Sequence, residues 1–124
     1  MCTGPRERAQ ECLRTARSLV ERARKSLGER KDLAAEMLWD AVSLAVKAYI
    51  YATEGRSIEG DEELWSLKNH LADKLGDIVL DVFQRAAGLH QCAVEKICTE
   101  KDIESVIGLA ERLVTEIERN LGYS

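Results

Sequence analysis

Residues 77–97, DIVLDVFQRAAGLHQCAVEKI, carry two opposed stripes. At about 100° per residue, Asp77, Asp81, Gln84, Gly88, Gln91 and Glu95 gather on a polar side that must face solvent. Val79, Val82, Phe83, Ala86, Ala93 and Ile97 gather on the other. Such a segment is a helix with one face toward a core, and Asp77 is placed to cap it. His90 falls among the apolar positions, which puts its imidazole on a buried or interface surface. Arg85 lies about 140° around the helix from His90 and one and a half turns away. It sits beside Val82 and Leu89, and its long side chain could reach toward the imidazole or a ligand between them.

Four more segments read the same way. Ala9, Cys12, Leu13, Ala16, Leu19, Val20, Ala23 and Leu27 recur every three or four positions on a first helix that opens at Pro5 and ends near Gly28. The second runs from Asp32, a fitting N-cap, through Leu38, Val42, Ala45 and Tyr49 to Ala52, stopping before Gly55. It is apolar on more than one side and should be central. After a loop at residues 55–60, Asp61 caps a short third helix with Leu64, Leu67, Leu71 and Leu75 on a narrow stripe. Thr99, with Asp102 three residues on, resembles a capping box and opens a last helix faced by Ile103, Val106, Ile107, Ala110, Leu113, Val114, Ile117 and Leu121. No stretch alternates with period two. The expectation is an all-α, up-and-down antiparallel bundle of about five helices, forming one domain over residues 1–124.

The charge is unevenly divided. Residues 1–31 hold nine Lys/Arg against four Glu, leaving nine against eighteen Asp/Glu for the rest and a net of −4. An acidic molecule is no general sponge for polyanions, so any nucleic-acid contact must be local to the first helix. There Arg6, Arg14, Arg17 and Arg24 share one stripe, with Arg8, Arg22 and Lys25 on the next. That stripe is either a solvated face laced with Glu11 and Glu21 or a ridge that binds anions.

Met1 to Gln10 is polar and lacks the apolar core of a secretory leader, so the chain reads as cytoplasmic. The most apolar segment, Ala41 to Ala52, is interrupted by Lys47 and falls short of the ~20 residues that span a bilayer. Cys2, Cys12, Cys92 and Cys98 contain no C-x-x-C pair, and two histidines cannot complete a zinc site from them. Idle or buried thiols are expected, a disulfide being the exception seen in cytosols of hyperthermophiles. No cofactor motif is present.

An Arg upstream of a His by this distance arises often by chance, and a lone His on an apolar face is usually a packed residue with hydrogen-bonded nitrogens. His70, polar-flanked on the third helix, is ordinary in the same sense. Glu36-x-x-Trp39-x-Ala41 followed by Lys47-Ala48, then Arg85-Ala86-Ala87-Gly88-Leu89-His90, resembles the archaeal PaREP group of the HEPN superfamily, a nucleotide-binding domain shared by higher eukaryotes and prokaryotes. The similarity spans about residues 5–121. It implies a helical bundle that dimerises symmetrically, with Arg85 and His90 of both copies facing a shared cleft. Catalytic members are metal-independent ribonucleases. By that analogy His90 would take or orient the proton of a ribose 2′-OH, and Arg85 would stabilise charge on the phosphate. Active members usually carry Asn or Asp directly after the Arg, where this chain has Ala86. The alternative implied is a non-catalytic dimeric scaffold, for example the helical partner of a nucleotidyltransferase-like protein.

Overall fold

A computed structural model describes residues 5–123, so Cys2 and the outermost ends of the expected domain lie outside the described residues. Among those residues there are six helices and no strand: α1 (Pro5–Ser26), α2 (Lys31–Glu54), α3 (Asp61–Ser66), α4 (Lys68–Leu75), α5 (Ile78–Glu95) and α6 (Glu100–Leu121). The all-α expectation holds. The third expected helix is two, because the chain leaves α geometry at Leu67, where φ is −93° and ψ is 1°.

Caps follow the sequence in part. Thr99 accepts from the Asp102 backbone N–H, the N-cap half of a capping box, while the Asp102 carboxylate accepts from the Thr99 hydroxyl at 2.7 Å rather than from its backbone N–H. Asp77 does stand at the N-cap of α5, whereas Asp32 and Asp61 are not the N-caps of their helices. Asp77 makes no capping bond, Asp32 sits inside the first turn behind Arg30, and Gly60 rather than Asp61 precedes α3. Asp61 instead accepts from Trp39 Nε1 at 3.1 Å, tying the start of α3 to α2. Gly55 ends α2 in the left-handed region, φ 67°, with its N–H on the Tyr51 carbonyl.

Side-chain pairs give the direction of each neighbour. Arg8 lies over the Tyr51 ring, joining the start of α1 to the end of α2. Arg17 pairs with Glu118 and Arg24 with Glu111, so α6 descends as α1 rises. Glu36 meets His90 while Trp39 meets Phe83, so α2 and α5 also run antiparallel. α2 carries twelve buried residues and touches α1, α3, α5 and α6, as its all-round apolarity requires. The core includes Leu13, Leu38, Ile50, Phe83, Ile107 and Leu113, all essentially inaccessible to solvent. No helix of the described residues is long and apolar enough to cross a membrane.

The C-terminus of α5 departs from its sequence pattern. Lys96 is left-handed, φ 58°, and the Ile97 N–H bonds back to the Cys92 carbonyl. That turn carries Ile97 off the apolar face, leaving it 67% exposed. Across the same turn Cys92 and Cys98 form a disulfide, which corrects the expectation of idle thiols at these positions. They are six positions apart in sequence, and the tight turn with the antiparallel return of α6 brings their Cα atoms to 5.0 Å. Cys12 remains a free, partly buried thiol.

Candidate functional site

α5 and α2 meet at a shallow groove of about 340 Å³ that contains His90. Of the buried or interface surface expected for the imidazole, the buried alternative is corrected: the His90 side chain is 47% exposed within the single chain. Position 90 lies at the edge of the α5–α2 contact, where the ring leans on the groove wall instead of entering the core. Its Nδ1 donates to Glu36 Oε1 at 2.8 Å, since a carboxylate can only accept. The ring tilts against Trp39, 6.4 Å between centroids. Trp39 in turn meets Phe83 edge-on at 6.5 Å, and Phe83 stacks with Trp65 at 6.1 Å. A packed aromatic column therefore backs the groove.

The lining is acidic. Glu36, Asp40 and Asp61 contribute three carboxylates against Lys47 and His90. Burial raises the Asp40 carboxyl above its ordinary pKa, and Glu36 and Asp61 push the same way, while His90 and Lys47 pull it back. Ser43 also lines the groove. It is 6% exposed, and its Oγ has no hydrogen-bond partner. Among the described residues no His, Cys, Asp or Glu cluster is arranged to hold a metal ion.

Arg85 is not in this groove. Its Nε donates to Asp81 Oδ1 at 2.8 Å, one turn back on α5, and it borders a different cleft with Leu89, Asp102 and Ser105 between α5 and α6. Within one chain the structure does not bring Arg85 and His90 together. The 140° between them separates the side chains, and Asp81 draws the guanidinium further along the polar stripe.

The basic stripe of α1 is also divided. Arg17 bonds Thr115 at 2.9 Å and pairs with Glu118, while Arg24 pairs with Glu111 at 2.8 Å, so both knit α1 to α6. Arg6 lies over the Tyr123 ring at 5.2 Å. Arg14 borders a cleft that Glu21 and Glu111 share. This is a face with both signs interspersed rather than a ridge of uncompensated cations. His70 pairs with Glu54 at 2.9 Å, much as His90 pairs with Glu36.

The sequence alone does not join Glu36, Asp40, Asp61 and Ser43 into one site, although part of a signal is there. Glu36, Asp40, Ser43 and Lys47 recur at spacings of four, three and four, a polar line along a helix otherwise apolar nearly all round.

The model of the archaeal PaREP1/PaREP8 family matches residues 6–114, which takes in the groove, Arg85 and His90. The chain belongs to this family. No curated protein and no solved structure is significantly similar to this PaREP1/PaREP8 chain. The family match covers α1 to α5 and the first two thirds of α6.

Proposed function

We propose that this chain is a non-catalytic interaction module whose docking face is centred on Glu36 and His90. The partner is a protein that offers a lysine or arginine to the groove. The observation that carries this is the sign of the lining: three carboxylates, Glu36, Asp40 and Asp61, surround one lysine and one histidine. Such a groove repels phosphates and attracts an ammonium or guanidinium.

Exposed apolar residues flank the same face. Val94, one turn beyond His90, is 65% exposed, and Leu33, one turn before Glu36, is 37% exposed. An acidic groove with an apolar border is the surface of a protein interface rather than of a polyanion track. A second copy of the chain is the partner implied by the HEPN resemblance, and a nucleotidyltransferase-like protein is the other.

One observation favours the ribonuclease reading. The Glu36 contact fixes His90 through Nδ1 and leaves Nε2 free, which is how a carboxylate orients a general base. His70 also pairs with a glutamate, Glu54, though through Nε2, so a His–Glu pair alone does not carry catalysis. The two readings part in one assay. Single-stranded RNA incubated with the protein in excess EDTA stays intact if the groove is a docking site. Cleavage that leaves 2′,3′-cyclic phosphate ends, spares DNA and is lost in His90→Ala would establish the ribonuclease instead.

A further inference from the structure

On the other side of Lys47 lies a second cavity, formed by α1, α2 and the loop at residues 55–60. Its volume is about 180 Å³. Arg8 and Lys47 bring two cationic side chains to it, and Tyr51 and Ser57 bring two hydroxyls. No carboxylate is among its lining residues, in contrast to the His90 groove. Its remaining walls are apolar: Ala9, Ala48 and the buried loop residue Ile58, with the Cys12 thiol between them.

Arg8 is held in place by the Tyr51 ring, 6.0 Å from guanidinium carbon to ring centroid. Stacking of this kind leaves the guanidinium edge free to fork two donors toward an oxyanion. Glu11 acts on the Cys12 thiol at this cavity. The Cys12 thiol is raised above its ordinary pKa by burial and then by Glu11, while the charge of Arg8 draws it back down. The cavity is too small for a nucleotide, since ligand pockets commonly occupy ~300–1,000 Å³. It suits a charged head with a few carbon atoms.

We propose that this cavity binds a small oxyanion, a phosphate or carboxylate group carried on a short apolar body, with Arg8 and Lys47 on the charge and Ala9, Ala48 and Ile58 around the body. The site shares Lys47 with the His90 groove, but its charge selectivity is opposite and its other lining residues are its own. Arg8 belongs to this cavity alone, so failure of one assignment leaves the other standing.

Cys12 provides the readout. In a Cys2→Ser background it is the thiol left to react, because Cys92 and Cys98 are joined. Its rate of alkylation by iodoacetamide is measured at alkaline pH against inorganic phosphate, butyrate and sodium chloride at matched ionic strength. Phosphate or butyrate is expected to slow alkylation saturably, and chloride is not. Arg8→Gln and Lys47→Gln, checked for folding by circular dichroism, should each weaken that protection roughly tenfold, about 1.4 kcal/mol. Protection by phosphate alone assigns a phosphoryl ligand, and stronger protection by butyrate assigns a carboxylate with an apolar tail. No protection by either probe, equal slowing by chloride, or protection unchanged in both variants would overturn the proposal.

Discussion

Phe83→Ala should be the most damaging single change behind the groove. Phe83 is fully buried on α5 and touches Trp39 on α2 and Trp65 on α3. Removing a buried phenyl ring costs about 3–5 kcal/mol through lost transfer energy and the cavity left behind. Each aromatic pair adds a geometric preference of ~0.5–1.5 kcal/mol, which places this site in the upper half of that range. A chain of 124 residues has a total stability of ~6–19 kcal/mol, so the variant folds but loses a large fraction of its margin. With an unfolding entropy near ~2.1 cal/mol/K per residue, a loss of about 4 kcal/mol lowers Tm by ~15 °C. The assay is thermal and urea unfolding followed by circular dichroism, with tryptophan fluorescence as a second probe of Trp39 and Trp65. Both should report the same destabilisation. A loss below ~1 kcal/mol, the scale of an ordinary substitution, would refute the packed column that positions Trp39 against His90.

Two further outcomes follow from the same contacts. Reducing the Cys92–Cys98 bond, which closes a loop of six-residue separation, should cost about 2 kcal/mol by loop-closure entropy. Melting with and without dithiothreitol, and in a Cys92→Ser, Cys98→Ser protein, should show a matching fall, and no change on reduction would rule the bond out. Asp40→Asn should stabilise the protein at neutral pH, because the folded state raises the carboxyl of Asp40 and charging it there has a cost. Stability falls as pH rises from the ordinary aspartate value through the raised one, so the variant's gain is present above that window and absent below it. Solvent screening at this exposed position limits the gain to ~0.5 kcal/mol, and a destabilised variant at neutral pH would contradict the crowding of carboxylates.

The helices were legible because amphipathic periodicity survives without tertiary information. The polar stripe of Asp77, Asp81, Gln84, Gly88, Gln91 and Glu95 does face solvent along its whole length. Local chemistry decided Thr99, whose cap partner lies three residues away. It failed at Asp61, which found a stronger partner in Trp39 across the fold. Ile97 was misplaced because periodicity assumes that the helix continues, and Lys96 ends it. The groove was the least legible part. His90 lies near the boundary between core and surface, where a turn of a few tens of degrees exchanges burial for exposure. Arg17 and Arg24 illustrate the same limit, since Glu118 lies 101 residues from Arg17 and Glu111 lies about ninety residues from Arg24 in sequence.

In the proposed docking role the groove of Glu36, Asp40, Asp61 and His90 receives a cationic side chain. The most direct measurement is a fluorescence titration of Trp39, in a Trp65→Phe background, with a short arginine peptide and with a single-stranded RNA oligonucleotide of matched length. The peptide should give a saturable, salt-sensitive response that disappears in a Glu36→Gln, Asp40→Asn protein, and RNA should give none. A response to RNA that depends on His90, or indifference to the peptide at low salt, would contradict it.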